Sequence, residues 1–252
     1  MQETNELLLE TCLLAGKIMM ENGSEVYRVE DTMNRIAANA GEGNSISYVT
    51  ATGIFMGLRS SHYAQVENVH DRVINLEKIV AVNRLSRAFA EEQITLSQLY
   101  TSLKEVNQVT PSFPLWLQVL SAGVVSSTLM IIFGGNWSDF LATFFIGSLG
   151  FITALWVKKT IDIRFLDMFV ASLVIGTLAI LSVRVGVAGN VDNLIIGAVM
   201  PLVPGVAITN SFRDILAGHL ISGTARGTEA IFTAAAIGVG IATVFTLFGG
   251  LS

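Results

Sequence analysis

Apolar positions along the chain recur first at helical spacing, then alternate, then run unbroken. Glu6–Asn22 is apolar on most sides, which predicts a well-buried helix stopped at Asn22-Gly23. Ser24 reads as the N-cap of a second helix, Glu25–Ala40, in which Val26, Val29, Met33, Ile36 and Ala40 share one face. Glu25, Arg28 and Asp31 fall on another face, and Asp31 and Arg35 stand at i, i+4 for an ion pair. Gly41–Asn44 is a turn. Ser45–Thr52, Gly53–Arg59 and Ala64–His70 alternate in part, are rich in Ile, Val, Thr, Tyr and Phe, and read as strands. Helical spacing returns over Asn75–Ala90 and Leu96–Val106, the second opened by the capping box Thr95-Leu96-Ser97-Gln98. The order ααβββαα predicts a small α+β domain with an antiparallel sheet.

Beyond Pro111 and Pro114 the pattern changes to long apolar runs. A spanning helix needs about 20 mostly apolar residues, and the stretches near 115–133, 140–157, 168–183 and 230–248 carry no charge. A fifth, 194–208, is apolar but broken by Pro201, Pro204 and Gly205. The expectation is an α-helical polytopic membrane protein with five transmembrane helices, residues 111–252, behind an N-terminal cytoplasmic α+β domain, residues 1–110.

Composition sharpens this division. Of 252 residues 52% are hydrophobic and 14% charged, where a soluble domain carries about 25% charged residues. Residues 1–114 hold 23 of the 35 charges, and 17 of the 23 glycines lie after them. The net charge of −5 offers nucleic acid nothing, and a single Cys excludes an internal disulfide framework. Lys158, Lys159, Arg164, Arg213 and Arg226 fall on one side of the membrane by this span count, and Arg184 alone on the other. The base-rich side is expected to be cytoplasmic, with the N-terminal domain inside and the C-terminus outside. No signal peptide is expected: Met1–Glu6 has two acids and no base, and Glu10 interrupts Leu7–Ala15. In the last run, Ala234/Gly238 and Ala236/Gly240 repeat small residues at four-residue spacing, which suits close helix packing, within the chain or between subunits.

Candidate chemistry concentrates at the broken run. Two prolines three apart, followed by Gly205, are expected to unwind a helix at membrane depth, where freed carbonyls are tolerated only inside protein or beside a water-filled cavity. Thr209 and Asn210 then read as N-caps of a new helix, roughly Ser211–Ser222. Its dipole and Arg213 would favour a carboxylate, and Asp214 could take a proton or an ammonium group. His219, Ser222, Thr224 and Arg226 extend this polar sequel. A kinked structural helix leading into an interfacial one is the alternative. The soluble part offers a second candidate set, Glu25, Arg28, Asp31, Thr50, Thr52, Arg72 and Asn75, as a pocket or as a salt-bridged core. Enzymatic candidates are thin. Cys12 sits within an apolar helix and reads as a buried inert thiol, Ser24, Thr50 and Thr52 are the other nucleophile candidates, and the base candidates His62 and His70 lie at a turn and a strand end. No hydrolase, metal or nucleotide-binding motif is present, so neither cofactor nor metal is expected.

The segments P-L-V-P-G-x-x-x-T-N-x-x-R-D (Pro201–Asp214) and H-L-x-S-G-x-x-R (His219–Arg226) resemble the signature of the threonine/serine exporter family. E-x-Y-R-V-E-D (Glu25–Asp31), V-T-x-T-G-I (Val49–Ile54) and R-x-x-N-L-x-K (Arg72–Lys78) are similar to that family's cytoplasmic domain. The resemblance runs from about Leu8 to Phe248. It implies export of small hydrophilic metabolites, threonine and serine or a dicarboxylate such as succinate, driven by an ion gradient. Full-length members carry a second membrane half. This chain resembles the larger subunit of the split form, which implies a short membrane protein as partner, besides the small-molecule substrate and membrane lipid. A membrane-tethered hydrolase and a ligand-sensing domain that gates the membrane part are the competing readings.

Overall fold

The computed structural model describes residues 2–59, 63–69, 73–108, 113–161 and 163–248. The chain forms two compact units: Met1–Pro111 with Val206–Thr228, and Ser112–Gly205 with Glu229–Ser252.

The first unit is built on α1 (Gln2–Glu21), which buries Leu8, Leu9, Cys12, Leu13, Ala15, Ile18, Met19 and Met20. A helix apolar around most of its circumference must be covered on several sides. Here the covers are α2 (Val26–Asn39), the sheet, α3 (Leu76–Ala90) and α4 (Leu96–Gln108). Strands β1 (Ser45–Val49), β2 (Gly53–Leu58) and β3 (Tyr63–Asn68) form an antiparallel meander, with Tyr48 opposite Phe55 and Phe55 opposite Val66. Alternation sends Ile54, Met56 and Leu58 into the core and leaves Phe55 exposed. The capping box at α4 forms as expected: Thr95 Oγ1 accepts from Gln98 N–H and Gln98 Oε1 from Thr95 N–H. Asn75 Oδ1 caps α3 by accepting from the Glu77 and Lys78 amides.

The second unit contains α5 (Leu115–Ile132), α6 (Phe140–Thr160) behind the 3-10 turn Trp137–Asp139, α7 (Leu166–Arg184) and α8 (Val191–Val199), which runs into a 3-10 turn at Met200–Leu202. Next come α9 (Gly205–Leu216) and α10 (Leu220–Phe248); the border between the units falls inside α10. Ile146, Ala171, Ile175, Leu194, Ala198 and Ile237 form the centre of this unit's core. Among the described residues, four helical stretches are long and apolar enough to cross a membrane: Leu115–Ile132, Trp137–Thr160, Leu166–Arg184 and Leu220–Phe248. The pair Val191–Leu202 and Gly205–Leu216, bent by 60°, makes a fifth if it counts as one broken span. The architecture is therefore mostly helical, with a small three-stranded sheet near the N-terminus.

The fourth run does break at its prolines, as expected, and 194–208 is divided between α8 and α9. Several local expectations change. Thr209 and Asn210 do not start a helix: the chain resumes helix at Gly205, immediately after Pro204, so both lie inside α9. The new helix stops at Leu216 rather than Ser222. Gly218 adopts φ +90°, and the Gly218 and His219 amides donate to Ile215 and Asp214 carbonyls in a Schellman turn. The last helix starts at Leu220, not Ala230. Its added turns contain Thr224 and Thr228, whose hydroxyls donate to carbonyls four residues back, and no proline to break it. Ser24 is not an N-cap either, since its hydroxyl faces the Glu25 carbonyl and Glu25 holds the cap position without a side-chain bond. Of the small residues in α10, Gly240 packs on α7, where an added Cβ would come 2.8 Å from Phe169 O, while Gly238 faces open space.

Candidate functional site

The first unit brings α9, the start of α10 and the N-terminus of α2 together. The arrangement begins with a stop. Gly23, at φ +94°, ends α1 in a Schellman turn in which the Ser24 amide donates to Met19 O. The chain then enters α2 with Glu25 extended at its mouth. A helix start leaves amides without partners and carries a positive dipole end. The partner arrives from 188 residues away: Asp214 Oδ1 accepts the Val26 N–H at 3.0 Å.

Asp214 is fully buried, and its Oδ2 lies 3.4 Å from Arg226 Nη1. Arg226, only 5% exposed, donates from Nη2 to the Ser24 carbonyl at 2.8 Å. Asn210 Nδ2 donates to the Gly23 carbonyl at 2.8 Å. Three motif side chains thus satisfy the backbone of one tight turn. Arg226 is in consequence no interfacial anchor. It is the counter-ion of a buried carboxylate, and a buried charge persists only when paired and hydrogen-bonded.

Glu25 supplies the second half of the network. It is 6% exposed, and each carboxylate oxygen has a guanidinium: Oε1 meets Arg213 Nη1 at 2.5 Å and Oε2 meets Arg28 Nη1 at 3.3 Å. Burial works to raise its pKa, but a backbone hydrogen bond and the two arginines outweigh it and hold the carboxyl below its ordinary value. The Arg213 side chain stays 58% exposed, so one face of its guanidinium is open. Around this centre Glu30 Oε1 accepts from Val49 N–H at 3.0 Å, its Oε2 stands 3.9 Å from His219 Nε2, and Ser222 Oγ donates to Val49 O at 3.4 Å.

Of the motif residues read from the sequence, Asn210, Arg213, Asp214, Ser222 and Arg226 converge with Glu25 and Arg28. The others do not. Asp31 is exposed and pairs with Arg35 at 3.7 Å, Thr50 closes the turn to Gly53, Thr52 is exposed, and Asn75 caps α3. Thr209 is exposed on α9, and Pro201, Pro204 and Gly205 form the break between α8 and α9. Arg72, His62 and His70 lie outside the described residues. Cys12 is fully buried against Met33 O, and burial pushes its thiol pKa far up, the opposite of what a nucleophile needs. Among the described residues no three His, Cys, Asp or Glu side chains are grouped to hold a metal ion. Sequence reading did not single out Glu30 as a site residue, although it stands inside E-x-Y-R-V-E-D. Gly23 and Ser24 contribute only carbonyls, which no side-chain pattern reveals.

The sequence profile described as "Putative threonine/serine exporter" matches residues 10–248. The chain belongs to the threonine/serine exporter family. This family member is similar to the "Probable succinate transporter subunit YjjP" of Escherichia coli K12, at 23% identity over 98% of the chain and 97% of that protein. It is 21% identical to the protein of the same name from Klebsiella aerogenes, over 94% of the chain and 93% of the relative. It is also 20% identical to the "Probable threonine/serine exporter" of Mycobacterium tuberculosis, over 93% of the chain but 45% of that longer protein. No solved structure matches this exporter-family chain. Membership makes it a membrane protein of a transporter family.

Proposed function

We propose that the chain is one subunit of a secondary transporter that exports small carboxylate-bearing metabolites, driven by an ion gradient. The observation that carries this reading is the half-exposed Arg213 held by a buried carboxylate, Glu25. A guanidinium already oriented by one carboxylate, with a face still open, is a receptor for another. A substrate carboxylate competes with Glu25 for Arg213, so substrate arrival loosens the tie between α9 and the mouth of α2. Asp214 and Arg226 form the fixed part of this design. Their burial and the Val26 and Ser24 bonds fit a permanent strut better than the proton acceptor that Asp214 offers in sequence. The break at Pro201–Gly205 we assign separately to the substrate path, through carbonyls freed by the prolines.

The substrate class rests on shared chemistry. The named relatives point to succinate in one case and to threonine or serine in the other, and all three carry a carboxylate. The partner is a short membrane protein supplying the second transporter half. Support comes from the lengths: the chain covers nearly all of a relative named as a subunit and under half of one named as an exporter. The sheet-bearing unit is cytoplasmic and the C-terminus outside. With Arg226 buried, four loop bases against one still favour that orientation.

Counterflow in proteoliposomes tests this, using the chain with and without a second-half protein and threonine, serine and succinate as substrates. Flux is expected only from the pair. A charge-assisted hydrogen bond is worth about 1.5–3 kcal/mol and 1.4 kcal/mol is about tenfold, so Arg213→Gln should weaken apparent affinity roughly 10- to 100-fold. Unchanged affinity in Arg213→Gln at matched protein amount defeats the site. Flux from the chain alone defeats the partnership.

A further inference from the structure

A second cluster of guanidinium groups lies between α2 and α3. Arg84 and Arg87 stand three residues apart on α3, both exposed. With Arg28 of α2 they line an open cleft of about 520 Å³. Like charges repel one another, and Glu91, the one acid lining the cleft, offsets only part of the three positive charges. Glu91 accepts from Gln93 Nε2 at 2.7 Å, and among the described residues Arg84 and Arg87 have no ion-pair partner. Guanidinium forks match the paired oxygens of carboxylates and phosphates, and three of them lining one cleft suit a ligand with more than one negative charge.

Arg28 ties this cleft to the network already described. Its Nη1 is 3.3 Å from Glu25 Oε2, while the other Glu25 oxygen holds Arg213. Arg28 therefore has two claims on it, the buried carboxylate and whatever anion enters the cleft.

We propose that the Arg28–Arg84–Arg87 cleft binds a small soluble oxyanion carrying two or more negative charges, carboxylate or phosphate, and that Arg28 reports its occupancy to Glu25. An anion that draws Arg28 away leaves Glu25 to Arg213 alone and tightens that pair. If the reading of Arg213 as substrate receptor is right, a filled cleft holds the receptor shut, and the cytoplasmic anion acts as a brake on export. Only this last step rests on that reading. The binding site itself does not.

The test is isothermal titration calorimetry on the full chain in nanodiscs of zwitterionic lipid at constant ionic strength, with inorganic phosphate and succinate in separate arms. A third arm titrates short-chain phosphatidylglycerol, below its micelle-forming concentration, in place of the soluble anions. Saturable heat with phosphate or succinate is expected. Affinity should fall at least about tenfold for each arginine lost in Arg84→Gln and Arg87→Gln. It should rise in Glu25→Gln, where Arg28 is no longer contested, and stay unchanged in Arg59→Gln, an exposed arginine outside the cleft. Should the glutamine variants fold poorly, Arg84→Lys and Arg87→Lys keep the charge and lose the fork, and the same weakening is expected. Absence of saturable binding by either soluble anion overturns the proposal, as does equal affinity in wild type and the arginine variants. A response confined to phosphatidylglycerol also overturns it, since a lipid headgroup is then the occupant. Failure here leaves the Arg213 transport assay untouched, and failure of that assay leaves this titration unchanged.

Discussion

Asp214→Ala should open the first unit by orders of magnitude. Asp214 is fully buried and does two things at once: it accepts the first amide of α2 and neutralises buried Arg226. Removing one partner of a buried ion pair costs about 3–5 kcal/mol, because the other is left charged and dry. Loss of a helix cap costs about 1 kcal/mol by itself. The chain supplies its own reporter. Cys12, its one cysteine, is fully buried in the same unit, with a thiol pKa pushed up by desolvation. A soluble thiol reagent reaches it only when the unit opens, so at low reagent the labelling rate follows the opening equilibrium. At 1.4 kcal/mol per decade, Asp214→Ala should label roughly 100- to 3000-fold faster than wild type. The double variant Asp214→Ala/Arg226→Met should recover much of the loss, since it buries no unpaired charge. Labelling of Asp214→Ala within about threefold of wild type would refute the strut, and so would a double variant no slower than the single.

The same labelling assay reads pH. Because native Glu25 sits below its ordinary value of 4.5, the stability it lends is whole above that value and is lost as pH falls through the lower native one. The gap between wild type and Glu25→Gln should be flat from neutrality to pH 5 and close in stronger acid; a gap already closing at pH 6 contradicts the pairing. In the second unit, a Cβ on Gly197 would lie 2.5 Å from Met130 Cβ and 2.7 Å from Ser126 O, so Gly197→Ala should sharply lower folded yield by size-exclusion chromatography, while Gly238→Ala, with nothing within 4 Å, should not. For topology, a C-terminal alkaline phosphatase fusion should be active and a green fluorescent protein fusion dark. The reverse would mean an even number of crossings, most simply with the bent α8–α9 pair not crossing.

Where one element's own residues decide its shape, the sequence was readable. The stop at Asn22-Gly23, the α4 capping box, the Asp31–Arg35 pair and the four charge-free spans all follow from spacing within a few residues. Illegibility began where a partner is distant. Asp214 caps α2 from 188 residues away, and that leaves Ser24 free of the role its side chain suits. Arg226 looked like a loop base because local sequence does not reveal burial. Thr209 and Asn210 looked like caps because their side chains suit one, yet Pro204 fixes the start of α9 earlier. Composition sees one border near Pro111, whereas compactness follows the return of Val206–Thr228 to the first unit.

That return has a consequence for biosynthesis. A ribosome makes Glu25 and the mouth of α2 early, and their counter-charges at Arg213, Asp214 and Arg226 only after the second unit's first helices have been made. At about 5–20 residues per second the wait is on the order of 10–40 s. Throughout that interval the nascent unit exposes an uncapped helix and a carboxylate meant for burial, while the hydrophobic helices behind it emerge. Chain order thus makes synthesis of the middle helices a precondition for finishing the unit that contains the sheet. A chain truncated before Arg213 would therefore leave that unit unfinished, with Glu25 and the mouth of α2 lacking the charges that cover them.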